Sequence, residues 1–185
     1  MESPVIKECE TKMKKAIAAL EKELGKVRTG RASLALVDDI RVDYYGTRTP
    51  LNQVASLSIP ESRLIVIQPW DTSLLGDIEK AILKSELGMT PTNDGKVIRI
   101  TIPRLTEERR KELVKLVKKM GENSKIGVRN IRREAIENLR TMEKDKEISE
   151  DKLHQMQNDV QKTTDTFVEQ IDEVIEAKEK EIMEI

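Results

Sequence analysis

The sequence predicts an α+β chain: an antiparallel three-helix bundle with a small β/α/β domain inserted after its first helix. Three observations predict it. Apolar residues recur at spacings of three and four in three separate stretches, which is the signature of amphipathic helices. Five of the six prolines fall between Pro50 and Pro103, and none occurs after Pro103. Proline lacks a backbone donor and clashes inside a helix, so the C-terminal stretch is free to be helical. Charge density changes at the same borders: residues 31–104 hold 18 charged side chains in 74 positions, against 49 in the other 111.

The first helical stripe is Ile6, Cys9, Met13, Ala16, Leu20, Leu24 and Val27. The second is Leu113, Val117, Met120, Ser124, Val128, Ile131, Ala135, Leu139 and Met142. The third is Leu153, Met156, Val160, Phe167, Ile171, Val174 and Ile182, with Thr163 or Thr164 filling its gap. Each is a narrow apolar stripe that a bundle or coiled coil must bury. Thr106 before Glu107, Glu108 and Arg109 reads as an N-cap with acids in the first turn, and Ser149 before Glu150 and Asp151 as a second. Residues 144–148 are the expected turn between them.

The middle block reads differently. Residues 40–44 alternate apolar and polar. Residues 54–59 and 64–67 are short β-prone runs expected to end at Pro60 and Pro69. Residues 74–87 have helical spacing and are expected to stop at Gly88. Asn93-Asp94-Gly95 is a turn signal, and residues 97–102 alternate as a last strand. The bundle is thus expected to comprise residues 1–30 and 105–185, and the inserted domain residues 31–104. The chain must cross between them twice, near Gly30 and Arg31 and near Pro103, Arg104 and Leu105; two parallel linkers make a hinge.

Composition excludes several functions. One cysteine, Cys9, permits neither a disulfide framework nor a cysteine-based zinc site. One histidine, His154, permits no paired-histidine chemistry, so neither a metal nor a cofactor of its own is expected. Four aromatic residues in 185 leave the core mostly aliphatic. No apolar run approaches the roughly 20 residues that span a bilayer. The first 30 residues interleave charged and apolar side chains, unlike a signal or transit peptide. The cytoplasm is the expected compartment, with no membrane partner.

No phosphate-binding G-x-x-x-x-G-K-[ST], no G-x-G-x-x-G after a strand and no G-x-S-x-G elbow occurs. His154 stands among polar residues with no nucleophile nearby, and reads as an exposed or interhelical histidine. Cys9 lies on the apolar stripe and reads as a small buried hydrophobe. The many acids are regularly spaced along helix surfaces, where solvation is their ordinary fate. No catalytic residue can be named.

The charge partition is more informative. The net charge of −1 conceals +2 over residues 1–30, zero over 31–104, +5 over 105–140 and −8 over 141–185. On a helical wheel Lys111, Lys115, Lys118, Lys125, Arg129, Arg132, Arg133 and Arg140 fall within an arc of roughly 100°, opposite Leu113, Val117 and Val128. Pairing with the acidic third helix would account for part of this stripe. Three arginines at positions 129, 132 and 133 are more than such pairing requires. The planar guanidinium matches a phosphate bidentately, and a rigid rod bearing several suits the backbone of structured RNA. With so few aromatics, base stacking on a single strand is not expected.

Several segments also resemble the bacterial ribosome recycling factor family. They are Arg28-Thr29-Gly30-Arg31-Ala32-Ser33, Val42-Asp43-Tyr44-Tyr45-Gly46, Thr49-Pro50-Leu51-Asn52-Gln53 and Val66-Ile67-Gln68-Pro69-Trp70-Asp71. Asn93-Asp94-Gly95, Leu105-Thr106-Glu107-Glu108-Arg109-Arg110-Lys111, Val128-Arg129-Asn130-Ile131-Arg132-Arg133 and Glu143-Lys144-Asp145-Lys146-Glu147-Ile148-Ser149-Glu150 complete the set. The likeness spans nearly the whole chain. It implies an L-shaped, two-domain protein that binds the post-termination ribosome in the aminoacyl-tRNA site, on the large ribosomal particle. It further implies that, with elongation factor G and GTP, the protein splits the subunits so that messenger and transfer RNA leave. GTP would be used by the partner. The resemblance places rRNA contacts on Arg129, Arg132 and Arg133, to which the basic arc adds Lys125; Arg28 and Arg31 near the bend are lesser candidates. The hinge would involve Gly30, Arg31, Arg104 and Leu105, and the protein would act as a monomer. Three departures stand out: Arg104 and Leu34 occupy positions where the family often has proline, and Gly121 and Gly127 interrupt the basic helix.

Two other classes remain open on the residues alone. An adaptor pairing its long helices with a protein partner would self-associate, or bind that partner regardless of ribonuclease. A hydrolase or transferase would need a pocket with convergent carboxylates of perturbed pKa.

Overall fold

A computed structural model describes residues 3–184. The element order is α1 (Pro4–Gly25), β1 (Arg41–Tyr44), β2 (Thr47–Pro50), β3 (Ala55–Glu61), β4 (Leu64–Pro69), α2 (Leu75–Lys84), β5 (Pro91–Asn93), β6 (Ile98–Thr101), α3 (Glu107–Lys144) and α4 (Glu150–Met183). Two compact units result. One runs to Leu24 and resumes with Lys111–Glu184; the other is Gly25–Arg110. Among the described residues no helix is long and apolar enough to cross a membrane.

In the helical unit the stripes do what their spacing demands. Cys9, Met13, Leu20 and Leu24 of α1 are buried, as are Leu113, Val117, Val128, Ala135 and Leu139 of α3, and Met156, Val160, Phe167, Ile171 and Ile182 of α4. The inward position shifts by one residue at several points, on α3 from Met120 to Gly121. Ile17 is buried where Ala16 was expected, and Ile175 where Val174 was, because each larger side chain takes the inward position beside its neighbour. Thr164 fills the gap in α4: its hydroxyl donates to the Val160 carbonyl at 2.7 Å, which satisfies it inside the core. α3 and α4 run antiparallel, since contacts pair rising positions on one with falling positions on the other: Lys118 with Glu179, Lys125 with Asp172, Arg132 with Gln161. Lys12 of α1 reaches Glu134 of α3 at 2.7 Å.

The helix ends are built as their sequences specify. Thr106 Oγ1 accepts from Arg109 N, and Ser149 Oγ from Lys152 N. α3 closes with a Schellman motif: Glu147 N donates to Met142 O and Lys146 N to Glu143 O, both at 2.9 Å. Lys146 occupies the left-handed position of that motif, at φ 59°, where glycine is usual.

The second unit departs further from expectation. Its strands form two antiparallel sheets, a β1-β2 ribbon and a four-stranded sheet in the order β3-β4-β6-β5. β2 and β5 were not anticipated; both are short edge strands without the apolar alternation that marks a strand in sequence. β3 continues through Pro60 to Glu61, with a register shift between Ser58 and Glu61. β3 is an edge strand, where a missing N–H is tolerated at a bulge. α2 stops at Lys84 rather than at Gly88, because Ser85 donates from its backbone to Ala81 and Ile82 and from its hydroxyl to Ile82. The core of this unit is aliphatic, with Ile65, Ile67, Ile78, Ile82, Ile98 and Ile100 fully buried. The aromatics lie elsewhere: Phe167 is buried among the helices, while Tyr45 and Trp70 are exposed.

The division between the units falls at Leu24/Gly25 and Arg110/Lys111, several residues outside the anticipated borders. The reason lies in what residues 25–32 touch. Lys26 pairs with Asp39 at 3.0 Å, and Ala32 N donates to Ser62 O at 2.7 Å. On the return crossing Ile102 N donates to Arg63 O at 2.7 Å. Both crossings are therefore fastened to the same β3–β4 turn.

Candidate nucleic-acid interface

α3 is 38 residues long, which at about 1.5 Å per residue makes a rod of roughly 57 Å. Its inner face is buried, and its basic arc divides into two edges by what each side chain meets. On the edge next to α4, Lys125 is only 15% exposed; its ammonium lies 2.5 Å from Asp172 and 3.3 Å from Glu122. The hydrogen bond it donates to Asp172 is the main influence raising the Lys125 pKa, ahead of the opposing effect of burial. Lys118 stands 3.9 Å from Glu179. Lys125 therefore departs from its expected place among RNA-facing residues, and is neutralised inside the seam between α3 and α4.

The cause is Gly121, one turn before Lys125. A Cβ at Gly121 would lie 2.7 Å from Ile175 Cγ1. The absence of that carbon lets α4 approach closely, and Asp172, one turn before Ile175, comes within reach of Lys125. The glycine that interrupts the basic helix is thus a point of close approach between α3 and α4.

The other edge is different. Arg129, Arg133 and Arg140 are exposed and meet no carboxylate among the described residues. Lys115 extends the same line toward the N-terminal end of the rod. Arg132 lies on the edge next to α4, beyond Lys125, and is half-buried. Its one hydrogen bond among the described residues, from Nη1 to Gln161 Oε1 at 2.8 Å, is to a neutral acceptor, so its charge is not cancelled. Arg129, Arg132 and Arg133 thus form a cationic ridge available to an external anion.

The remaining candidates are distributed through the inserted unit. Arg28 is half-buried; its guanidinium donates to the Glu86 carbonyl at 3.4 Å and passes over Gly88, where a Cβ would sit 3.6 Å from Nη2. It secures the loop after α2. Arg31 and Arg104 are exposed, Leu105 is partly buried, and Gly30 is buried at φ 78°, a conformation that favours glycine. Arg129, Arg132 and Arg133 lie together on α3 of the helical unit; Arg28 and Arg31 belong to the other unit.

Among the described residues no group of three or more His, Cys, Asp or Glu side chains could hold a metal ion. His154 is exposed, 3.9 Å from Glu150. Cys9 is buried, which pushes its thiol pKa up. A cleft of about 820 Å³ in the inserted unit is lined by both cationic and anionic side chains, among them Arg28, Arg41, Asp43 and Asp77. The carboxyls of Asp71 and Asp94 are held below the usual range by hydrogen bonds in turns, Asp71 by Ser73 and Asp94 first by the Val97 amide and then by Arg99 and Lys96. Both serve the fold. Gln161 went unnoticed in the sequence, where a polar residue on α4 carries no signal of the side chain it meets on α3.

Comparison with known proteins identifies the family. The family model for ribosome recycling factor matches residues 20–183. The ribosome-recycling factor of Desulfatibacillum aliphaticivorans is 62% identical over 180 residues, covering 97% of each chain. That of Syntrophus aciditrophicus is 59% identical over the full length of both. A solution structure of the ribosome recycling factor superposes with a TM-score of 0.80 at 46% identity, covering both chains completely. A further match has a TM-score of 0.67 at 43% identity and covers 96% of each chain. It belongs to models for the T. thermophilus ribosome recycling factor and the E. coli elongation factor G bound to the E. coli post-termination complex. By sequence along its whole length and by the fold that sequence adopts, this chain belongs to the ribosome recycling factor family.

Proposed function

We propose that this chain recycles post-termination ribosomes. The ridge of Arg129, Arg132 and Arg133 docks α3 on the phosphates of large-subunit rRNA. With elongation factor G and GTP the protein then separates the subunits, releasing messenger and transfer RNA. It binds no cofactor and catalyses no covalent step; GTP hydrolysis belongs to the elongation factor. It acts as a monomer in the cytoplasm.

The observation that carries this reading is the freedom of Arg129 and Arg133 beside an Arg132 whose partner is uncharged. Had these groups been matched to acids of α4, as Lys125 is, the rod would have no charge to offer. Phosphate contacts displace condensed counterions, so binding weakens as salt rises. The two stretches that lead from the unit borders to Gly30 and Arg31 and back from Arg104 and Leu105 serve as the hinge. Through it a push on the inserted domain reaches the docked bundle.

The test is a polysome-breakdown assay with elongation factor G and GTP, run with and without this protein. Conversion of polysomes to free subunits only when the protein is present is the expected result. No difference between the two arms would overturn the reading. Alongside it, Arg132→Glu should abolish tight binding to large subunits with helicity retained; wild-type binding by that variant would place the docking face elsewhere.

A further inference from the structure

Gln161 has a place in this interface that its identity alone does not announce. Its side-chain amide spans two charges. Oε1 accepts from Arg132 Nη1 at 2.8 Å, and Nε2 donates to Asp165 Oδ1, one turn further along α4, also at 2.8 Å. An ionised carboxylate can only accept and a guanidinium can only donate. Only one orientation of the amide satisfies both, so Asp165 sets which end of Gln161 meets α3. The contrast with the neighbouring cations is direct. Lys125 meets a carboxylate of α4 and is neutralised by it, and Lys118 stands 3.9 Å from another. Arg132 meets a carbonyl oxygen instead, and the nearby acid is held one amide away. Arg132 Nε is buried without a protein acceptor, so the Gln161 bond is the described polar contact that anchors this guanidinium.

We propose that Gln161, oriented by Asp165, is a positioning residue: it fixes the Arg132 guanidinium for contact with an RNA phosphodiester while leaving its positive charge intact. This rests on the docking role of α3 proposed above. Fixing a long side chain before binding removes an entropic cost from association. A carboxylate at the same position would fix it equally well but cancel its charge, so the amide is the functional choice.

Equilibrium binding of the full chain to purified bacterial large ribosomal subunits, measured across a salt series, separates these effects. Gln161→Glu should bind about tenfold more weakly, the scale of one charge-assisted hydrogen bond. Its slope of log affinity against log salt should fall by about one, because one phosphate contact no longer releases a counterion. Gln161→Leu should weaken binding to a smaller extent with the slope unchanged, since Arg132 keeps its charge but loses its anchor. Combining Gln161→Glu with Arg132→Ala should add nothing to Arg132→Ala alone. Loss of fold would leave the slope without meaning, so helicity and unfolding midpoint are measured on each variant. If Gln161→Glu fails to fold, Asp165→Asn decides: an amide there lets Gln161 turn over, and a severalfold loss of affinity is expected. If Arg132→Ala weakens binding while the Gln161 and Asp165 variants match wild type in affinity and slope, the positioning role is wrong and the docking face stands. If Arg132→Ala itself binds as wild type does, the docking face falls, and the role of Gln161 with it.

Discussion

Replacing each of the two glycines of α3 by alanine should move stability in opposite directions. In an open helix interior, alanine is favoured over glycine by about 1 kcal/mol, because glycine loses more backbone freedom on folding. At Gly127 nothing lies within 4 Å of the added carbon, so Gly127→Ala should gain that amount. At Gly121 the same carbon would stand 2.7 Å from Ile175 Cγ1 and 3.0 Å from its Cδ1. Cγ1 is next to the branch point, and a β-branched residue on a helix has little choice of rotamer. Relief must therefore come from displacing α4. Overpacking of this kind costs about 1–3 kcal/mol, which offsets the helix-propensity gain and leaves Gly121→Ala between neutral and about 2 kcal/mol destabilised. The difference between the variants isolates the packing cost, and for a chain of this size each kcal/mol shifts the midpoint by about 2–4 °C. Thermal and urea unfolding followed by far-ultraviolet circular dichroism, which reports mainly the long helices, is the assay. Equal stabilisation by both alanines would refute the argument that Gly121 sets the approach of α4.

Lys125→Ala should lower stability by roughly 0.5–1 kcal/mol, the worth of a partly exposed ion pair. Binding to large subunits should stay near wild type, whereas Arg133→Ala should weaken it; a binding loss for Lys125→Ala equal to that for Arg133→Ala would return Lys125 to the ridge. Lys146→Gly should stabilise α3 by about 1 kcal/mol by relieving a left-handed backbone, measured by the same unfolding curves. The Asp94 carboxylate accepts from the Val97 and Lys96 amides and from Arg99, so its pKa is lower folded than unfolded. Its contribution is therefore complete above the unfolded value of about 4 and is lost as pH falls through the folded one. Protection of the β5–β6 amides, taken relative to intrinsic exchange at each pH, should fall with acid over that range, and Asp94→Asn should remove this dependence.

The helices were legible because each has to bury one face, and that requirement writes a period into the sequence. Thr106 and Ser149 were legible as caps because a side-chain oxygen at that point satisfies an amide that the helix cannot. β2 and β5 were not, since a short edge strand such as Thr47–Pro50 draws its order from backbone pairing with β1, which leaves no hydrophobic pattern. The ridge was legible as an arc of charge, yet its division into paired and free edges was not. Whether Lys125 faces RNA or Asp172 depends on how closely two helices approach, and Gly121 decides that from a position with no charge at all. Gln161 was illegible for a related reason: its meaning lies in a partner 29 residues away on another helix.

The only tryptophan stands 70% exposed at the end of β4, outside both hydrophobic cores. Its fluorescence will already be that of a solvated indole in the native protein, so melting of the long helices should scarcely alter it. The same remoteness makes it a useful optical reporter. A blue shift or quenching of this single fluorophore would register a macromolecule arriving at the inserted domain, uncontaminated by signal from the bundle.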